Sequence, residues 1–139
     1  MIILDTNVVS EPLRPAPDPA VLAWLDRQAP ESLYLTTINL AELLAGIELL
    51  PAGKRRTDLK LALRGRMLPL FDQRLLSFDS SAAEAFAQLN ALAQAAGSPV
   101  SFADGAIAAI AAARGFMIAT RNVRDFSGTG VKIVNPWTD

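Results

Sequence analysis

The chain has no cysteine and no histidine among its 139 residues. Without thiols there is no disulfide, no thiolate nucleophile and no zinc–thiolate centre, and without imidazole there is no histidine base or metal ligand. The two absences together exclude histidine-dependent serine and cysteine triads, H-E-x-x-H zinc sites and histidine-based ribonuclease chemistry. No apolar run reaches the roughly 20 residues that span a bilayer, and Asp5 interrupts the segment that would have to be the apolar region of a signal peptide. A cytoplasmic protein without membrane association is therefore expected. A strong charge of either sign is also missing: the formal net charge is -1. What is present is a 51% hydrophobic composition, enough for one domain over residues 1–139 that buries roughly two-thirds of its unfolded surface.

Met1-Ile2-Ile3-Leu4 reads as a buried strand, and Asp5 stands at its carboxyl end, where open α/β sheets place their ligand crevice. The proline-rich stretch from Glu11 to Pro17 is unsuited to regular helix or central strand. Asp18 and Pro19 read as the cap and first position of a helix through about Gln28. Leu33–Thr36 is a short strand. Asn39 stands three residues before Glu42 in capping-box spacing, and Leu40, Leu43, Leu44, Ile47 and Leu50 recur at helical period until Pro51 and Gly53. The next segment puts six of the 13 basic residues, Lys54, Arg55, Arg56, Lys60, Arg64 and Arg66, close together. It reads as a helix with Leu59, Leu63 and Met67 inward, ending near Pro69. Its charges suit a phosphate backbone and equally a solvated helix face.

Leu75–Phe78 fits either a short strand or a packed loop. Asp79 caps a long helix that Gly97 ends. Ser101 and Asp104 again have capping-box spacing, before an alanine-rich helix stopped by Gly115. Phe116–Thr120 is a buried strand, Arg121-Asn122 a turn, and Val131–Val134 a last strand at the sheet edge, with Pro136 just beyond. Strands alternating with helices predict an α/β fold with a mostly parallel sheet flanked by helices on both faces.

In such a sheet, strand ends and helix starts share one edge, so Asp5, Glu42 and Asp104 converge. Asp125 belongs to the same edge, five residues past the strand that ends at Thr120. Glu42 and Asp104 also fit plain helix caps, Asp5 an Asx-turn, and Asp125 the cap of the turn before Phe126. Acids gathered on one edge repel one another unless a cation lies between them. With only oxygen ligands available, that cation is Mg2+ or Mn2+. The chemistry that fits is phosphodiester hydrolysis, with Thr6, Asn7, Thr120 and Asn122 holding water, substrate or the carboxylates.

Five ordered segments then carry a resemblance. They are Ile3-Leu4-Asp5-Thr6-Asn7, Asn39-Leu40-Ala41-Glu42-Leu43 with Gly46, Ala103-Asp104-Gly105-Ala106-Ile107-Ala108, Ala119-Thr120-Arg121-Asn122 with Asp125-Phe126, and Asn135-Pro136-Trp137. In this order they resemble the PIN-domain ribonucleases, and more closely the VapC/FitB-like toxins of bacterial toxin–antitoxin pairs. The resemblance implies a PIN fold, a Mg2+- or Mn2+-dependent endoribonuclease acting on structured RNA such as transfer RNA, and Asp5, Glu42 and Asp104 as catalytic, metal-binding carboxylates. It also implies a homodimer and an inhibitory antitoxin, with the toxin–antitoxin complex bound to operator DNA through the antitoxin. Asn122 departs from the pattern, because many family members carry an acid there, and an amide brings no charge for a second metal. That departure keeps open a catalytically weak PIN-like module that binds RNA or a partner without cutting. An aspartyl-nucleophile phosphatase also begins on an apolar strand ending in Asp, but its usual second Asp is Asn7 here.

Overall fold

The computed structural model describes residues 1–139. Five parallel strands form its sheet: β1 (Ile2–Leu4), β2 (Leu33–Thr36), β3 (Leu75–Leu76), β4 (Met117–Ala119) and β5 (Ile133–Val134), in the spatial order β3-β2-β1-β4-β5. The first strand in the sequence is thus the central one. Ile3 lies beside Tyr34 on one side and Ile118 on the other, and Leu4 beside Ala119. β5 is an edge strand, as expected from Pro136. Leu75–Leu76 does pair, with Leu35 and Thr36, although the strand stops before Phe78.

Six α-helices cover the sheet: α1 (Thr6–Ser10), α2 (Pro19–Asp26), α3 (Thr37–Glu48), α4 (Lys54–Ala62), α5 (Ser80–Ala95) and α6 (Phe102–Arg114). Alternation along β1 divides the core into two layers. Ile2 and Leu4 join Val8, Trp24, Leu43, Ile47, Leu63 and Phe71 on one face. Ile3 joins Ile118, Leu89, Ile107, Ile110 and Phe126 on the other. Continuous burial of Ile2, Ile3 and Leu4 is what a central parallel strand requires, since both its faces are covered. No helix is long and apolar enough to cross a membrane.

The helix starts follow their sequence signals in three of four cases. Asp18 accepts from the Ala20 amide, Asp79 from Ala82 and Ser101 from Asp104. The exception is α3. Its cap is Thr36, in extended conformation at the end of β2, whose hydroxyl accepts from the Asn39 amide while Asn39 answers the Thr36 amide. Asn39 is thus the N3 residue that closes the capping box rather than its cap, and Glu42 lies in the second turn rather than the first. A hydroxyl already fixed at the strand end closes the box one turn earlier than Asn39 would.

Thr6 and Asn7 begin the short helix α1, with Asp5, the Asx-turn candidate, as its N-cap. The chain past α4 widens into a π turn (Leu63–Met67) and then a 3-10 turn (Leu68–Phe71). Leu63 and Met67 are buried there as the spacing predicts, while Arg64 and Arg66 face solvent. On the other face, the missing Cβ of Gly105 matters: one built there would lie 2.8 Å from Cε2 of Phe86. Gly105 therefore lets α5 pack close to the first turn of α6.

Candidate active site

The edge defined by the strand carboxyl ends is built around Asp5, which is 5% exposed. Its Oδ1 accepts from the Thr6 amide at 2.9 Å and from Asn39 Nδ2 at 3.4 Å. Its Oδ2 accepts from the Thr120 hydroxyl at 2.7 Å. Three elements thus hold one carboxylate: α1, α3 and the end of β4. Burial pushes the Asp5 carboxyl above its ordinary value; the Thr120 and Thr6 hydrogen bonds oppose that rise, and the charge of Asp125 adds to it.

Thr6 and Asn39 extend the network toward Glu42. The Thr6 hydroxyl donates to Glu42 Oε1 at 2.9 Å and accepts from Asn39 Nδ2 at 3.3 Å. Side chains on a helix lean toward its N-terminus, so Glu42 reaches back to the edge from the second turn. Asn39 is fully buried, and its Oδ1 accepts from both the amide and the hydroxyl of Thr36. It is one polar residue joining a helix cap to two acids. The sequence marks it only as a cap candidate; the Thr36-x-x-Asn39 spacing at a strand end is the signal that reveals its place.

Asp104 sits half-buried in the first turn of α6, its amide bonded to the Ser101 hydroxyl at 3.2 Å. Its carboxyl is also raised, first by burial, with Ser101 opposing, and then by the charges of Asp5, Asp125 and Glu42. All four acids therefore act on one small region. Asp125 does not cap the turn that contains it: it lies inside the 3-10 turn Val123–Phe126, whose N-cap is Asn122. Asn122 is exposed and donates its amide to the Thr120 hydroxyl at 3.0 Å. Asn7 accepts from the Arg121 amide at 3.2 Å, tying α1 to the chain leaving β4.

None of Asp5, Glu42, Asp104 and Asp125 has a basic partner; the ion pairs of the chain are Arg14–Glu11, Arg56–Glu48 and Lys60–Glu48. The donor set, carboxylates and hydroxyls without nitrogen or sulfur, fits a hard divalent cation. No three acidic side chains are closed into a ready ligand cage. A divalent cation at this edge would keep part of its water shell and take one or two carboxylates directly. Asp5, Asp104 and Glu42 are the carboxylates that could hold such an ion.

The basic residues of the α4 segment are not brought to this edge. Arg56 and Lys60 lean on Glu48 at the far end of α3. Lys54, Arg55, Arg64 and Arg66 are exposed and unpaired.

An all-parallel five-stranded α/β fold with carboxylates at its strand ends is the arrangement of a PIN domain. The chain belongs to the PIN-domain family, whose model matches residues 2–132. It is 50% identical to the VapC ribonuclease Y4jK of Sinorhizobium fredii over 137 residues, covering 99% of this chain and 98% of the relative. It is 45% identical to Toxin FitB of Neisseria gonorrhoeae over the full length of both. Among solved structures, FitAB bound to the IR36 DNA fragment superposes with a TM-score of 0.96 at 42% identity, covering 100% of this chain and 97% of that one.

Proposed function

We propose that this protein is the toxin of a toxin–antitoxin pair, a Mg2+- or Mn2+-dependent endoribonuclease that hydrolyses phosphodiester bonds of structured RNA, with transfer RNA the leading substrate class. The observation that carries this reading is the edge of four carboxylates with no basic partner, centred on a buried and triply hydrogen-bonded Asp5. Acids held together at that cost are balanced by a bound cation. A cation there supplies Lewis-acid polarisation of a phosphoryl oxygen and a water acidic enough to attack it.

The chain's own residues have separable tasks in this reading. Asp5 and Asp104 hold the ion. Glu42, oriented by Thr6, would hold a water at the edge or accept its proton. Thr120 and Asn39 fix the Asp5 carboxylate in one rotamer, the orienting role that residues behind metal ligands play. Asp125 adds negative charge from outside, at the corner where Asn122 brings none. Lys54, Arg55, Arg56, Lys60, Arg64 and Arg66 form a separate basic surface for more distant RNA phosphates.

The likeness to the VapC ribonuclease, to Toxin FitB and to a DNA-bound FitAB complex supports a toxin with a cognate antitoxin, the pair assembling on operator DNA; a homodimer of the toxin is part of the same proposal. Incubating pooled cellular RNA with the protein, with and without Mg2+, tests the central activity. A second reading, a PIN module that binds RNA without cutting it, draws on the uncharged Asn122. It predicts RNA binding indifferent to metal and to Asp5→Asn.

A further inference from the structure

Arg121 is the first residue after Thr120, whose hydroxyl holds Asp5. Its backbone amide is pinned by Asn7 Oδ1. Its guanidinium lies over the Trp137 ring, 5.1 Å from the centroid, in the chain's cation–π pair. Trp137 is itself fixed, its amide donating to Asn135 Oδ1 at 2.9 Å, and the residue packs against the core layer of β1 that contains Leu4. Arg121 makes no side-chain hydrogen bond and no ion pair, although four carboxylates occupy the same edge. A guanidinium held over an indole keeps its N–H donors free in its own plane and loses little entropy when they engage an anion.

Lys54, Arg55, Arg64 and Arg66 are likewise unpaired but lie over no aromatic ring. Arg14, Arg56 and Lys60 are paired with glutamates, and Arg74 donates to the carbonyls of Leu33 and Leu70. Arg121 follows Thr120 just past the end of β4 and is exposed to solvent. It therefore stands on the rim of the acidic edge, one residue from the group that orients Asp5. A polyanion approaching four acids meets repulsion there, and a preorganised cation on the rim is what offsets it.

We infer that Arg121, held by Trp137, grips an RNA phosphate flanking the scissile one and so sets the register of the strand across the acidic edge. This rests on the reading of that edge as an RNA-cleaving site. Trp137 is a positioning residue; Arg121 makes the contact.

The test measures binding of a short fluorescein-labelled single-stranded RNA by the full chain in EDTA, across a KCl series, beside Mg2+-dependent cleavage of the same RNA by the wild type. Arg121→Gln is expected to weaken binding about tenfold and to lower the slope of log affinity against log salt by about 0.7, one phosphate contact on a single strand. Arg121→Lys restores the slope but not the full affinity, because it lacks the planar fork. Trp137→Leu keeps the slope and weakens binding, and Trp137→Phe returns toward the wild type. An Mn2+-induced rise in melting temperature equal to the wild type's shows that Arg121→Gln leaves the acidic edge intact. Binding by Arg121→Gln with wild-type affinity and slope overturns the inference, including the case where Arg121 serves a protein partner instead. If the wild type cleaves no RNA while the slope still falls in Arg121→Gln, the phosphate contact stands and the ribonuclease reading fails. Absence of any RNA binding by the wild type removes both.

Discussion

Thr120 and Asp5 are 115 positions apart in the chain and 2.7 Å apart in the fold, hydroxyl to carboxylate. The adjacent pairing of β1 and β4 at the centre of the sheet brings them together, Leu4 lying beside Ala119 just before each of them. The contact makes the residue after the last central strand a part of the first strand's site.

Removing that hydroxyl without changing the side chain's shape is expected to cost about 1.5–3 kcal/mol, the range for a lost hydrogen bond to a charged group. Thr120→Val is therefore expected to unfold at lower denaturant with an unchanged slope, while Thr120→Ser retains most of the stability. Urea titration at pH 7 of the three proteins checks this. Equal stability of Val and wild type would mean that the bond contributes nothing.

Glu42→Gln separates charge from geometry. The amide still offers an oxygen to the Thr6 hydroxyl, so stability stays within about 0.5 kcal/mol of the wild type, as for most exposed substitutions. Cleavage at limiting metal falls, and the Mg2+ concentration for half-maximal rate rises about 10- to 100-fold, the scale of a weakened metal site. An unchanged metal requirement would confine Glu42 to its bond with Thr6.

Asp104 gives a signed pH dependence. Its folded carboxyl stands above the ordinary 3.8, so between that value and the raised one the metal-free folded chain binds more protons than the unfolded chain. The associated stability is fully present below the ordinary value and is lost as pH rises through the raised one. Asp104→Asn is thus expected to melt higher than the wild type at pH 7 in EDTA, with the advantage vanishing in acid. Mn2+ reverses the order, since a ligand at a hundred times its dissociation constant stabilises by about 2.7 kcal/mol, and the variant gains much less. Calorimetry at two pH values, with and without Mn2+, reads both effects; equal Mn2+ gains would remove Asp104 from the ligand set.

Much of this was legible in the sequence because the signals were local and mutually consistent. Ile2-Ile3-Leu4 before Asp5 announced a strand buried on both faces, and Asp18-Pro19, Asp79 and Ser101 each marked a helix start. α3 was misregistered by one turn because Thr36 was read as the last strand residue and Asn39 as the cap, when the two share one capping box. The role of Asn39 between Asp5 and Thr6 depends on contacts across more than thirty residues, which no local pattern reports. The basic segment raised the opposite difficulty: its charges are conspicuous in the sequence, yet two of them neutralise Glu48. Arg121 attracts no notice as a single letter, and its stacking on Trp137 appears only when the C-terminal segment is folded back.

The most direct test of the central claim is cleavage of pooled cellular RNA by the wild type and Asp5→Asn, with and without added Mg2+, with the cut ends mapped. Cleavage at defined positions is expected only for the wild type and only with metal. Cleavage at full rate by Asp5→Asn, or by the wild type in EDTA, would contradict it.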